Sequence, residues 1–295
     1  MLARPRRSVL YMPGSNAKAL AKASTLPADA LILDLEDSVA LDQKIAAREQ
    51  VVRAARAGFG GREVVIRING PHTPWGEDDL AAAAAAQPDA ILLPKVDGPG
   101  AIMVAARMLR EAGAPEGTRI WAMMETPNAI LNAGSIASVA ADPSSRLSVM
   151  VMGLNDLAKE TRARLTPGRP TMTAWLASCV VAARAHGVDI LDGVYNDIKD
   201  LDGFRLECLQ GRDMGLDGKT LIHPSQIDSC NEVFAPTAAE VESAGAIIEA
   251  FALPENAGKG VIQLDGRMVE LLHADMARRT LAIAKTIAAR SMAAA

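Results

Sequence analysis

Eight short apolar runs recur along the chain, each followed by a longer alanine-rich segment, and this rhythm limits the folds open to it. The runs are SVLYM (8–12), ALILDL (30–35), VVIRI (64–68), AILLPK (90–95), IWAMM (120–124), LSVMVMG (147–153), VDILDG (188–193) and KTLIH (219–223). Their length and near-continuous apolarity predict strands of a parallel sheet covered on both faces. The intervening segments 16–25, 40–57, 77–87, 99–112, 127–141, 170–186 and 198–214 predict amphipathic helices. Eight strand–helix units in succession predict an α/β (β/α)8 TIM barrel rather than an open doubly wound sheet. The barrel domain is placed at 1–235 and a C-terminal helical extension at 236–295. Within the extension, 237–251 reads as a helix, LPENAGKGVIQLDG as a connector and 266–292 as a long terminal helix. A tail beyond the needs of a minimal barrel is expected to cover an active-site mouth or to contact a neighbouring subunit.

Composition narrows the function classes. A net charge of −4 argues against a nucleic-acid partner. No apolar run reaches the length of a membrane span. The basic start MLARPRRS is followed by VLYM, too short for a signal-peptide core. Cys179, Cys208 and Cys230 are far apart and odd in number, so neither a disulfide framework nor a zinc pattern is expected, and a cytoplasmic setting is.

The fifth run poses a question, because IWAMM runs straight into Glu125 and then Thr126-Pro127. A buried carboxylate needs a metal, an arginine or solvent. Active sites of (β/α)8 barrels lie at the carboxyl ends of the strands. Those ends carry Asp34, Glu36, Asp37, Arg67, Asn69, Lys95, Glu125, Asn155, Asp156, Asp192 and His223. At the opposite ends Arg62, Glu63, Arg119 and Arg146 read as a solvated surface. Taken singly, each rim residue has an ordinary reading: Asp37 or Asp156 as a helix cap, Lys95 as a structural partner of an acid at strand two, His223 as a backbone-bonded residue before Pro224. Convergence on one rim favours a shared task.

Glu125 and Asp156, on adjacent strands, make an oxygen-rich pair for a hard cation, which favours Mg²⁺. Arg67 on a neighbouring strand carries the fork that holds a carboxylate. A metal beside an arginine suits a 2-oxo acid and the enolate formed by carbon–carbon cleavage. The turn Gly14-Ser15-Asn16 opens a helix, where Ser15 or Asn16 serves as a cap or receives an anionic substrate group.

The stretches RRSVLYMPGSN, LILDLEDSV, VVIRIN, ILLPKV, METPNAI, VMGLNDLAKE, DGVYNDIKD, GKTLIHPSQI and LDGRMVE resemble the citrate lyase β-subunit-like proteins, a branch of the HpcH/HpaI aldolase/citrate lyase family of the phosphoenolpyruvate/pyruvate superfamily. The resemblance covers nearly the whole chain. It implies a barrel in a homotrimer or hexamer that uses Mg²⁺ on acyl-CoA or acyl-carrier thioesters. Glu125 and Asp156 are implied as metal ligands and Arg67 as the carboxylate clamp. Glu36 and Asp37 are implied as site-lining acids, with Lys95 their partner or a clamp on the thioester side. Ser15 and Asn16 lie where substrate is received. The family's G-x-M-[IV]-D motif, whose Asp reaches into a neighbouring subunit as general acid/base, reads Gly266-Arg267-Met268-Val269-Glu270 here, so Glu270 is the working substitute; the alternatives are that Asp265 serves or that the chain has drifted from the standard lyase reaction. The extra methylene shifts proton transfer by about 1 Å, a displacement that costs on the order of a hundredfold.

The expected function is a Mg²⁺-dependent carbon–carbon lyase that cleaves or forms a 3-hydroxyacyl-CoA such as citramalyl-, malyl- or citryl-CoA, with an acyl-CoA and a 2-oxo acid as the other side of the reaction. The alternatives are a malyl-CoA-type thioesterase and a β subunit of a citrate lyase complex that works on an acyl-carrier protein.

Overall fold

The eight apolar runs become eight parallel strands of one closed barrel, in which the last strand returns to pair with the first. The computed structural model describes residues 4–294. The strands are β1 (Ser8–Pro13), β2 (Ala30–Asp34), β3 (Glu63–Arg67), β4 (Ala90–Leu93), β5 (Arg119–Met124), β6 (Leu147–Met152), β7 (Asp189–Asp192) and β8 (Gly218–Leu221). The helices that accompany them are α1 (Ala17–Ala23), α2 (Lys44–Ala57), α3 (Gly76–Ala86), α4 (Pro99–Glu111), α5 (Pro127–Leu131), α6 (Ala133–Ser138), α7 (Leu154–Thr161), α8 (Thr173–Ala185), α9 (Leu201–Asp213) and α10 (Ile227–Val233). Two of these, α7 and α10, lie outside the predicted helical segments. Residues 6–234 form one compact unit, and residues 235–294, with Arg4 and Pro5, form a second. Among the described residues no helix is long and apolar enough to cross a membrane.

Apart from β8, whose sequence is GKTL, the barrel strands carry apolar residues on both faces, and the two faces meet different cores. Val9, Ile32, Val65, Leu92, Trp121, Met123, Val151 and Leu191 pack together inside the barrel. Their sequence neighbours Leu10, Leu31, Leu33, Ile66, Ile91 and Ile190 pack outward against the helices. This two-sided burial is why the runs lack a polar alternation.

The amino-terminal end of the barrel is closed by charge, not solvated as expected. Arg6 donates to both oxygens of Glu63, at 2.7 and 2.8 Å, and to Asp189. Its guanidinium lies 5.3 Å from the centre of the Trp121 ring. Glu63 and Asp189 share the inward parity of Val65 and Leu191, which aims them at the same plug. Arg146 is buried too, and donates to Pro115 O at 2.8 Å.

Asp192 also departs from expectation. Leu191 faces inward, so Asp192 faces the helix layer and not the rim. There it is fully buried, bonded by Arg169 at 2.5 and 2.8 Å and by Lys219 at 2.9 Å. Burial alone would raise its carboxyl, but Lys219 and Arg169 hold it below the usual carboxylate range.

The second unit contains α11 (Ala238–Ala252), a two-stranded antiparallel ribbon of β9 (Val261–Leu264) and β10 (Arg267–Glu270), and α12 (Leu271–Ala294). The ribbon replaces the predicted connector and the first turn of the predicted terminal helix. Its cause is legible: Asp265-Gly266 has positive φ at both positions, 49° and 76°, and an Asp-Gly pair of that kind closes a two-residue hairpin. Ile262 and Val269 then bury against Ala250.

Asp192→Ala removes the buried one of the two carboxylates that Arg169 and Lys219 share and leaves Glu207 alone against two buried cations. Urea unfolding is expected to report a loss of about 3–5 kcal/mol.

Candidate active site

Carried one step past the inner apolar layer, the inward parity reaches charged groups at the carboxyl end of the barrel. Asp34 lies two residues beyond Ile32, Arg67 two beyond Val65, Glu125 two beyond Met123 and Gly153 two beyond Val151. With Tyr11, Asp37, Asn155, Asp156 and Thr220 they line a cavity of about 290 Å³.

Arg67 is the central group. Its Nε and Nη2 form a fork on Asp34, at 2.6 and 2.7 Å. Nη1 stands 2.9 Å from Glu36 Oε2 and 3.4 Å from Asp37 Oδ2. The fork expected to take a substrate carboxylate is therefore engaged by Asp34, and the Nη1 edge faces the other acids. Burial would raise the Asp34 carboxyl, but Arg67, the Ser38 side chain and the Glu36 N–H hold it below its usual range. Glu36 goes the other way. Burial, joined by Asp37, Glu125 and Asp34 and opposed by Arg67, pushes its carboxyl up to about 8.

Lys95 does not pair with the strand-two acids. It follows β4 with a left-handed backbone, φ 50°, so its N–H donates to Glu125 Oε1 at 2.7 Å. Its ammonium lies 3.0 Å from Asp156 Oδ1 and 3.9 Å from Glu125 Oε1. Glu125 is 1% exposed, and burial raises its carboxyl against the pull of Lys95. A cation already sits on the two carboxylates named from the sequence.

The pair fits a hard cation. Asp34, Asp37, Glu125 and Asp156 are four carboxylates against Arg67 and Lys95, a local deficit of two positive charges when Glu36 is protonated. A Cβ at position 153 would stand 2.4 Å from Glu125 Cβ and 2.8 Å from its Oε2, so glycine leaves the space in which this carboxylate lies. Among the described residues no three His, Cys, Asp or Glu side chains gather around one metal position. Two carboxylates and retained waters are what Mg²⁺ takes.

Other predicted site residues fall elsewhere. Asn16 caps α1, its Oδ1 accepting from Ala19 N at 3.0 Å, and Ser15 is exposed; neither lines the cavity. Asn69 is buried between Lys44 and Asp79. His223 is exposed and accepts from Ser225 N. Asp265 is an exposed turn residue of the second unit. Glu270 ends β10, half-buried, its N–H donating to His273 Nδ1 at 2.9 Å. Sequence reasoning missed Tyr11 as a lining residue and Asp34 as the partner of Arg67; strand parity was the signal for both.

The family model of the HpcH/HpaI aldolase/citrate lyase family matches residues 7–224, the span that contains the barrel and its rim. The chain belongs to this family. The family is one of enzymes. A (3S)-malyl-CoA thioesterase of Cereibacter sphaeroides (strain ATCC 17025 / ATH 2.4.3) is 50% identical over 288 residues, which cover 97% of each chain. A citrate lyase subunit beta of Escherichia coli (strain K12) is 35% identical over 96% of this chain and 94% of its own. The crystal structure of CitE from Mycobacterium tuberculosis, in complex with magnesium, acetoacetate and coenzyme A, superposes with a TM-score of 0.75. It is 29% identical and covers 96% of this chain and 98% of that one.

Because Glu36 binds its proton more tightly folded than unfolded, its contribution to stability is complete below pH 4.5 and declines as the pH rises to about 8. Thermal melts of Glu36→Gln across this range are expected to show a flatter decline than the parent. Gly153→Ala is expected to displace Glu125 and lower turnover roughly tenfold to a hundredfold, with far-ultraviolet circular dichroism unchanged.

Proposed function

We propose that this chain is a Mg²⁺-dependent enzyme that hydrolyses the thioester of a short 3-hydroxydicarboxylyl-CoA of the (3S)-malyl-CoA kind. The observation that carries this reading is 50% identity over 97% of both chains with a protein of that activity. The cavity agrees with it. Its volume, about 290 Å³, lies at the low end for ligand sites and suits a short acyl group with the CoA moiety outside. The charged rim supplies partners for carboxylate and hydroxyl oxygens.

In this reading Asp34 locks the plane of Arg67, and the Nη1 edge of Arg67 meets the substrate carboxylate as Asp37 gives way. Glu36, carrying its proton, adds no negative charge against that carboxylate. Glu125 and Asp156 hold the metal, with Lys95 as a neighbouring cation. Bound there, Mg²⁺ supplies Lewis-acid polarisation of the substrate oxygens. Glu270, or Asp265 at the turn of the same ribbon, is delivered by a neighbouring copy in a homotrimer or hexamer. It takes a proton from water as the water oxygen attacks the thioester carbon. The carbon–sulfur bond then breaks, and the CoA sulfur leaves with a proton. Glutamate at 270, where the resemblance expects aspartate, suits orientation of water.

The citrate lyase relative favours a second reading on the same site. A base takes the proton of the 3-hydroxyl, the bond between the hydroxyl-bearing carbon and the thioester's α-carbon breaks, that α-carbon takes up a proton, and a 2-oxo acid and an acyl thioester leave. A carrier-bound thioester is the substrate if the chain is a β subunit of a citrate lyase complex.

Purified protein incubated with Mg²⁺ and (3S)-malyl-CoA is expected to release free CoA thiol and malate. Glyoxylate with acetyl-CoA instead transfers the assignment to the lyase, and turnover only of a carrier-bound ester transfers it to the complex. Glu125→Gln and Asp156→Asn are each expected to abolish the Mg²⁺-induced rise in melting temperature and to cut turnover on the order of a hundredfold or more. Glu270→Ala is expected to reduce kcat far more than it raises KM.

A further inference from the structure

Tyr11 belongs to the inward parity of β1 and packs on the inner core beneath the cavity that it lines. Its ring covers Arg67, whose guanidinium carbon lies 4.8 Å from the ring centre. Its hydroxyl has only the Met123 sulfur as a partner among the described residues, at 3.6 Å. A thioether is a weak acceptor, so most of the donor capacity of this phenol is unspent.

Two other neutral polar side chains of the cavity wall, Thr220 and Asn155, are committed. Thr220 Oγ1 donates to Asp192 O at 2.9 Å. The Asn155 amide exchanges two hydrogen bonds with Asn196, at 3.1 and 2.8 Å. Ser38 is exposed, and its backbone N–H donates to Asp34 Oδ2 at 3.1 Å. Burial, helped by Asp34, Glu125 and Glu36 and opposed by Arg67, raises the Tyr11 phenol above its ordinary value, which keeps it a donor at working pH.

We propose that the Tyr11 hydroxyl determines specificity, by donating a hydrogen bond to the hydroxyl oxygen of the substrate and so selecting hydroxylated acyl groups over their deoxy counterparts. This rests on the reading that the cavity takes a short 3-hydroxyacyl thioester. The placement follows from the stacking. With its ring against Arg67 and its oxygen at Met123, two residues before Glu125, the phenol spans the gap between the arginine and the acid pair. A malyl group carries its hydroxyl on the carbon that bears the carboxylate. With that carboxylate on Arg67, the hydroxyl lies beside the phenol. A site with a donor aimed at such an oxygen discriminates against an analogue that lacks it.

Tyr11→Phe keeps the ring, its stacking and the cavity floor, and removes only the donor. The test compares kcat/KM for (3S)-malyl-CoA and succinyl-CoA, which lacks the hydroxyl, in the Mg²⁺-loaded parent and variant. The parent is expected to prefer malyl-CoA, and the ratio of the two values is expected to fall roughly tenfold in Tyr11→Phe, the scale of one hydrogen bond. Calorimetric titration with free malate and free succinate checks the same preference without turnover. An unchanged ratio in both measurements overturns the assignment while the thioester reading stands. A parent that turns over neither thioester, and binds neither acid, overturns the reading of the site and this assignment with it.

Discussion

In a closed parallel barrel a strand residue has two directions open to it, and the choice alternates with position. That alternation is the constraint on which the molecule depends. It sends Val9, Ile32, Val65, Trp121 and Val151 to an interior core. At the next inward step it delivers Tyr11, Asp34, Arg67, Glu125 and Gly153 to a common cavity. At the other end the same parity delivers Glu63 and Asp189 to Arg6. The polar groups of the barrel are thus the two terminal layers of a stack whose middle is apolar.

The carboxyl-end layer is organised by unequal charge. Arg67 commits two nitrogens to Asp34 and has one edge left for Glu36 and Asp37. Lys95 spans Asp156 and Glu125. Neither cation balances its surroundings, and Glu36 responds by holding its proton to about pH 8. A layer of this kind is poised for a cation and for ligands that bring oxygen atoms to share it, which is the demand that a hydroxylated acid would meet.

The fold was legible because eight apolar runs in regular alternation with helices have few other solutions, and the observed strands fall within a residue or two of the expected bounds at most ends. The convergence of Arg67, Glu125 and Asp156 was legible for the same reason. Partner choice was less so. Lys95 turns to Glu125 and Asp156 through a left-handed backbone that no composition pattern announces. Asp192 looked like a rim residue until its parity is counted from Leu191. The ribbon at Asp265-Gly266 is hard to read because the glycine-rich connector hides two short strands, although Asp-Gly between VIQL and RMVE, each of which alternates in part, is itself a hairpin signal. The roles proposed for Asp265 and Glu270 call for a neighbouring chain, which a single sequence reaches only through resemblance.

The plug of Arg6, Glu63 and Asp189 has a kinetic corollary. Above that plug the apolar inner core fills the barrel's middle, so a ligand of the carboxyl-end cavity would depart by the route through which it arrived. Arrivals and departures then exclude one another. Accumulated product would act as a competitor of fresh substrate, and the exchange of occupants at the threshold becomes a natural place for the slowest event of the cycle.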